Sequence, residues 1–169
     1  QIKQLEVGSW FHPHYSDVKI PTLRELFRFV KGKELRLCIE VKDTNPEIVD
    51  LIVHLLKEEG IENPYLIFSF HYDIIDYLSQ NYPEIEASYN LNVLNEENLQ
   101  DANSCGLKYL TVNHLALTPS WIKRLKQEGF FIFSFTVNDL ERAQELLDQG
   151  VDNIIGNHVS FLDNLELNK

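Results

Sequence analysis

Apolar and polar positions follow two periods along this chain. Six short runs are typical of strands, at residues 35–41, 65–70, 85–91, 107–112, 130–137 and 151–155. Apolar residues alternate at 35–41, whereas a continuous apolar run such as Phe-Phe-Ile-Phe-Ser-Phe at 130–135 is typical of a strand covered on both faces. Between these runs, apolar residues recur three and four positions apart, which is the spacing of an amphipathic helix. Because strands and helices alternate strictly, the pattern predicts an α/β protein with a parallel sheet.

Capping residues and glycines mark where the helices begin and end. Thr22 and Glu25 have the spacing of a capping box, followed by an apolar stripe at Leu23, Leu26, Phe27 and Val30. Asn45-Pro46 predicts another helix start, and Gly60 its end. Two further helices are predicted at 72–80 and 96–104, and a third begins at Thr118-Pro119. Another runs from an Asn138 cap to Gly150, and a short helix follows residue 155.

Two architectures fit this order of elements, an open doubly wound sheet and a closed (β/α)8 barrel. No glycine-rich phosphate loop follows any predicted strand, which weakens the case for a nucleotide-binding open sheet. In both architectures the active site lies at the carboxyl ends of the strands. No internal repeat or linker is evident, so we expect residues 1–169 to form a single domain.

Composition excludes several classes of protein. The 169 residues carry a formal net charge of −11 without a basic stripe, so we expect no nucleic-acid partner. No apolar run is long enough for a membrane span. The cysteines, Cys38 and Cys105, form no disulfide framework, and their apolar neighbours predict buried free thiols.

The stretch Glu-Leu-Arg-Leu-Cys-Ile-Glu-Val-Lys-Asp at 34–43 carries the first candidate chemistry. Side chains alternate along a strand, so Cys38, Glu40 and Lys42 share the face opposite Leu37. In a barrel that face is the interior, and Glu40 and Lys42 lie at the open mouth. A carboxylate there can bind Mg²⁺ or Ca²⁺, and a lysine can hold phosphate. The alternative is an ordinary Glu–Lys pair on a solvent-facing edge.

Several short stretches, in this order along the chain, resemble the glycerophosphodiester phosphodiesterase family. They are Gly-Ser-Trp-Phe at 8–11, Ile-Pro-Thr-Leu at 20–23, Ile-Glu-Val-Lys at 39–42, Ser-Phe at 69–70, Phe-Thr-Val-Asn at 135–138 and Gly-Val-Asp-Asn-Ile-Ile-Gly-Asn at 150–157. The resemblance implies a (β/α)8 TIM barrel. It also implies hydrolysis of glycerophosphodiesters to glycerol 3-phosphate and an alcohol, with a divalent metal ion, Mg²⁺ or Ca²⁺, as cofactor.

The resemblance also assigns roles to single residues. By position, Glu40 matches a metal-ligand glutamate and Lys42 the catalytic lysine that holds the phosphate. Phe135 replaces a tryptophan that lines the glycerol side of the pocket, and Asn138 is the last residue of the same motif. Phe70 is expected to line the same mouth.

Residues outside these motifs add weaker candidates. His71 and His114 each follow a strand end, so we predict that they contact substrate. Tyr89 and Asn90 come late in the predicted strand 85–91 and are further candidates to line the site.

The sequence departs from the family pattern in its first part. The family's catalytic histidines and two further metal-binding carboxylates precede the Gly-Ser-Trp-Phe stretch, and their motifs are absent here. Gly156-Asn157 also replaces a Thr-Asp pair. We therefore expect the chain to contain about the last six βα units of the barrel and to be inactive alone. We also expect these units to pair with a missing amino-terminal barrel segment or to self-associate.

Two other interpretations stay open. The chain is either such an enzyme or a catalytically inactive barrel relative that acts as a binding or regulatory module, and an unrelated βα enzyme is a third possibility. The sequence does not determine the compartment. A cytoplasmic location is slightly favoured for this segment, and a membrane-anchored parent stays open.

Overall fold

The structure, a computed structural model, describes residues 1–158. The chain divides into two compact units. One contains residues 1–36 and 50–64, and the other contains 37–49 and the chain from residue 65 onward. The helix predicted after residue 155 lies outside the described residues. Among residues 1–158, no helix is long and apolar enough to cross a membrane.

The first unit is helical. It contains α1 (Leu23–Val30) and most of α2 (Glu47–Glu59), after two short 3₁₀ turns at Ile2–Gln4 and Pro13–Tyr15. The predicted capping box is confirmed, because Thr22 and Glu25 each bind the other's backbone amide. Phe27 and Val30 are buried as expected, whereas Leu26 is exposed. Arg24 and Arg28 bind the carboxylates at the end of α2.

Gly8 explains why the first motif requires a glycine. A Cβ at this position would lie 2.2 Å from the carbonyl oxygen of Tyr15, which is too close for any other residue. The amides of Gly8 and Ser9 donate to the carboxylate of Glu6, as does the Ser9 hydroxyl. These hydrogen bonds, led by that of the Ser9 side chain, lower the pKa of Glu6. The glycine therefore permits a tight turn around an ionised carboxylate.

The second unit contains a six-stranded sheet in which every neighbouring pair of strands is parallel and the strand order is sequential. The strands are β1 (Leu37–Glu40), β2 (Tyr65–Ser69), β3 (Ala87–Leu91), β4 (Tyr109–Asn113), β5 (Phe131–Phe135) and β6 (Asn153–Ile154). The helices between them are α3 (Tyr72–Asn81), α4 (Glu96–Ser104), α5 (Pro119–Gln127) and α6 (Leu140–Asp148). All six predicted strands are therefore confirmed, with shorter bounds.

The two faces of this sheet have different packing. Leu110, Val112 and Ile132 pack with the apolar faces of α4, α5 and α6 in the main core. On the other face, Leu66 and Phe68 form a separate cluster with Phe133. The main core therefore lies between the sheet and its helices, and the second face is the interior predicted from the alternation.

The interior cluster shows that the sheet is strongly curved. β2 and β5 are separated by β3 and β4, so in a flat sheet they would lie about 14 Å apart. Leu66 and Phe68 nevertheless pack against Phe133. Six sequential parallel strands with this curvature form a half-barrel, which confirms the predicted (β/α)8 class.

Two local predictions are wrong. Asp139, and not Asn138, is the N-cap of α6, and its side chain accepts a hydrogen bond from the amide of Arg142. The cysteines are not both buried, because Cys38 is exposed and Cys105 is half-buried. Cys38 lies on the interior face of β1, an edge strand of the described sheet, so the helices that cover the other face do not shield it.

Candidate active site

Glu40 and Lys42 lie at the carboxyl end of β1, on the interior face. The register pairs Glu40 with Phe68, whose side chain belongs to the interior cluster. The Oε2 atom of Glu40 lies 3.5 Å from Nζ of Lys42, and the two side chains are 32% and 79% exposed. Because neither side chain is fully buried, both charges are accessible to a ligand. An ion pair with this exposure also contributes little to stability.

Ser69 holds the end of β1 in place. Its hydroxyl donates to the carbonyl oxygen of Val41 at 2.7 Å and accepts from the amide of His71 at 3.0 Å. Ser69 is fully buried, so neither bond competes with water. The residue between Glu40 and Lys42 is thus connected to the start of α3. Sequence reasoning included Ser69 only as part of a motif, although a serine ending a buried apolar strand was a signal.

Phe70 and Phe135 meet above the interior cluster. Their ring centroids are 5.6 Å apart with an interplanar angle of 87°, an edge-to-face contact. The strand register aligns Phe70 with Phe133, but the contact is with Phe135, two residues nearer the carboxyl end of β5. This displacement is the one expected when barrel strands are tilted. The structure therefore brings these two predicted site residues together.

His114 lies in the loop after β4, beside the end of β5. Its amide donates to the carbonyl oxygen of Phe135 at 2.8 Å. Its ring Nδ1 is buried and has no hydrogen-bond partner within residues 1–158. Burial, with a smaller contribution from the guanidinium of Arg142, lowers the pKa of His114. The imidazole is therefore held in the neutral form near the mouth.

His71 and Asn138 differ in how their side chains are used. His71 occupies the N-cap position of α3, but its side chain makes no capping bond. The Oδ1 atom of Asn138 accepts a hydrogen bond from the amide of Asn157 at 2.7 Å. This bond joins the loop before α6 to the segment after β6, so the Asn138 carbonyl already has a structural partner.

Polar side chains of β3 and β4 also line the interior face. The hydroxyls of Ser88 and Thr111 lie 2.8 Å apart and are hydrogen-bonded. Asn90 is 5% exposed, and its Oδ1 is buried without a partner within residues 1–158. Tyr89 packs instead against the helix-covered core, so the expectation that it lines the site is wrong.

A divalent metal ion needs more ligands than these residues supply. Within residues 1–158, no group of three or more His, Cys, Asp and Glu side chains is placed to hold a metal ion. Hard cations of this kind take six or more oxygen ligands, and Glu40 provides one carboxylate. The described residues alone therefore do not form a metal site.

Comparison with known proteins connects this geometry to a family. The model of the glycerophosphoryl diester phosphodiesterase family matches residues 1–160. The chain belongs to this family. The predicted family is thus confirmed, and with it the enzyme class, because the family consists of phosphoric diester hydrolases.

Related sequences match across nearly the whole chain. A putative glycerophosphodiester phosphodiesterase of Bacillus subtilis, YhdW, is 25% identical over 168 residues, which are 96% of this chain and 68% of the relative. A glycerophosphodiester phosphodiesterase of Caldanaerobacter subterraneus is 26% identical over 173 residues, covering 98% of this chain and 69% of the relative. The chain thus spans about two-thirds of the length of these relatives.

Solved structures give the same result. A phosphodiesterase from Oleispira antarctica, in complex with the product sn-glycerol-3-phosphate, superimposes with a TM-score of 0.88 at 25% identity, covering 96% of this chain and 69% of that one. A glycerophosphodiester phosphodiesterase from Parabacteroides distasonis has a TM-score of 0.80 at 25% identity, covering 96% and 68%. The half-barrel is therefore similar to part of the fold in these relatives.

Proposed function

We propose that this protein hydrolyses glycerophosphodiesters to glycerol 3-phosphate and an alcohol. The observation that carries the proposal is the accessible pair of Glu40 and Lys42, 3.5 Å apart at the carboxyl end of a barrel strand. Active sites of (β/α)8 enzymes lie at this end of the strands. The product bound to the Oleispira antarctica phosphodiesterase supports the same substrate class.

Lys42 is proposed to bind the phosphodiester. The ammonium is 79% exposed, so it can reach an anion without first leaving a buried position. A phosphodiester carries one negative charge, and attack on phosphorus places more charge on the oxygens around it. A lysine fixed beside them stabilises that added charge in the transition state. Lys42 is therefore assigned to charge stabilisation and not to proton transfer.

Glu40 is proposed as one ligand of a divalent cation, Mg²⁺ or Ca²⁺. When bound, such an ion supplies Lewis-acid polarisation of a phosphoryl oxygen. Its other ligands would have to come from water, substrate or residues outside 1–158, because the described residues offer no complete site.

The remaining predicted residues are proposed to contact the substrate. Phe70 and Phe135 form an aromatic wall that can pack against the C–H groups of glycerol. His114 has a lowered pKa, and its Nδ1 has no partner in the described part of the chain, so it can accept a hydrogen bond from a hydroxyl. His71 follows the carboxyl end of β2 and Asn138 that of β5, and they complete the proposed set.

The test is release of glycerol 3-phosphate from a panel of glycerophosphodiesters in the presence of Mg²⁺ or Ca²⁺. The protein is expressed from its full coding sequence. Glu40→Gln is expected to lower kcat/KM by about 10²–10³-fold, a loss typical of removing a group that supports transition-state charge. Glu62→Gln, an exposed glutamate of the first unit, is the matched control and should retain activity. Full activity of Glu40→Gln would contradict the assignment.

We further propose that residues 1–169 form one domain and correspond to the carboxyl-terminal part of a barrel, inactive alone. β1 and β6 each have one strand neighbour in the described sheet. Unpaired edges promote association, either with an amino-terminal barrel segment or with a second copy. Light scattering of purified 1–169 is expected to show self-association, together with no hydrolysis. An active, stable monomer would overturn this proposal.

A further inference from the structure

Asn90 has a property that packing does not explain. Its side chain is 95% buried in β3, yet Oδ1 has no hydrogen-bond partner within residues 1–158. Buried polar atoms are nearly always paired, because burial without a partner loses the hydrogen bond to water. An unpaired buried amide in a native core therefore requires a reason, and a ligand is one such reason.

The residues in register with Asn90 on the interior face make no hydrogen bond to its Oδ1 atom. Asn90 is in register with Thr111 on β4, whose hydroxyl already pairs with Ser88 at 2.8 Å. The residues in register on β2 and β5 are apolar, since Phe70 and Phe133 occupy those positions. The residues in register with Asn90 on β2, β4 and β5 are thus apolar or, in the case of Thr111, already bonded to Ser88.

Strand tilt places Asn90 level with the candidate site. Barrel strands tilt by about 36°, and neighbouring strands are about 4.8 Å apart, so residues of equal height advance by about one residue per strand. The register aligns Glu40 with Ser88 and, two strands later, with Phe131. β3 is two strands from β1, so the residue level with Glu40 lies two positions after Ser88, which is Asn90. β5 is four strands from β1, so the level residue there lies four positions after Phe131, which is Phe135. Glu40, Asn90 and Phe135 therefore belong to one layer, contributed by alternate strands.

We propose that the carboxamide of Asn90 binds a free hydroxyl of the glycerol half of the substrate. This inference rests on the proposed function. A carboxamide offers an acceptor and donors, and a hydroxyl is both donor and acceptor, so they pair in either orientation of the amide. Phosphate oxygens of the diester only accept hydrogen bonds, so they cannot satisfy Oδ1. The amide is neutral and adds no charge beside Glu40.

The experiment compares two diesters in wild type and in Asn90→Leu, which keeps a branched side chain without hydrogen-bonding groups. One diester carries glycerol, and the other carries propyl in place of glycerol with the same leaving alcohol. Wild type is expected to prefer the glycerol diester, because a site built to bond a hydroxyl rejects an analogue that lacks it. Asn90→Leu should lose about 10–100-fold of that preference in kcat/KM, with the loss falling mainly on the glycerol diester.

A folding defect would have a different signature. Because Oδ1 has no partner among residues 1–158, Asn90→Leu should not lower the melting temperature. Thr111→Val is the matched control on the same face, because it removes a hydroxyl that is already bonded to Ser88. It should lower stability and leave the preference for glycerol unchanged.

Three outcomes would overturn the inference. Equal losses on both diesters in Asn90→Leu would show that the amide does not contact glycerol. A lower affinity of Asn90→Leu for Mg²⁺ or Ca²⁺, with the preference retained, would make Oδ1 a metal ligand instead. If wild type hydrolyses neither diester with either metal, the proposed function fails first, and the inference fails with it.

Discussion

The rings of Phe70 and Phe135 stand edge to face, 5.6 Å apart, although two strands separate β2 from β5. Two side chains from such distant strands can meet in this way where the sheet is curved and its strands are tilted. The pair therefore reports directly on the barrel curvature, and it does so at the level of the candidate site.

A double-mutant cycle tests this contact. Phe70→Leu, Phe135→Leu and the double variant are compared by the free energy of unfolding in denaturant. The expected coupling is about 0.5–1.5 kcal/mol, the range for aromatic pairs beyond their area of burial. Phe70 with Phe131 is the control pair, because Phe131 stacks on Tyr109 and should show coupling near zero with Phe70. Equal coupling in both pairs would argue against the curvature described above.

Ser69 should matter for both stability and activity. Ser69→Ala removes a buried hydroxyl that bonds Val41 and His71, and we expect a loss of about 1–3 kcal/mol in unfolding free energy. Since Val41 lies between Glu40 and Lys42, hydrolysis should fall as well. Ser134→Ala is the matched control, because Ser134 is equally buried but makes one longer bond, 3.3 Å, to Val112. Its expected loss is about 0.5–1.5 kcal/mol, without an effect on hydrolysis. Unchanged stability and activity in Ser69→Ala would remove its positioning role.

His114 predicts a pH dependence of stability. Its folded pKa lies below the ordinary value of 6.5, so the unfolded chain binds a proton at a higher pH than the folded chain does. The stability associated with neutral His114 is complete above the unfolded pKa and is lost as pH falls through the folded pKa. Thermal unfolding followed from about pH 7.5 to about pH 5 should therefore show a smaller decrease for His114→Asn than for wild type.

The control for this experiment lies in the same loop. Leu115 is 80% exposed and does not titrate, so Leu115→Ala should keep the wild-type pH profile. Parallel profiles for His114→Asn and wild type would mean that the imidazole is not held neutral by the fold.

Arg142 should control the order of the loop that carries His114. Its guanidinium donates to the carbonyl oxygens of His114, at 2.8 Å, and Leu117, at 3.4 Å. Arg142→Met is expected to increase hydrogen exchange of the amides at 114–117 while the strands keep their protection. Glu145→Gln, which breaks a partly exposed ion pair with the same arginine and leaves both carbonyl bonds in place, should have little effect. Protection of the loop in Arg142→Met equal to wild type would show that these bonds do not order it.

Much of the fold could be predicted because local alternation determines which side of a strand is covered. Leu110 and Val112 lie in the helix-covered core, and Thr111 between them faces the interior, as a period of two requires. The same alternation correctly placed Glu40 and Lys42 on one face. These predictions depend on neighbouring residues alone, so the sequence was sufficient for them.

The wrong predictions depend on residues distant in the chain. Asn138 and Asp139 are both good N-cap residues, and the choice between them is associated with a bond from Asn138 to Asn157, nineteen positions away. The exposure of Cys38 likewise depends on the position of β1 at the edge of the described sheet. No local pattern reports on either relationship.

The alternation of β3 has a consequence for how this protein tolerates change. Asn90 faces the interior, while Tyr89 on the same strand packs into the core. A substitution changes a side chain on one face of the strand and leaves the residues of the other face in place. A single-residue insertion or deletion inside the strand would instead exchange the two faces, turning an amide into the core and a ring toward the ligand. Length variation among functional descendants should therefore concentrate in the connecting loops.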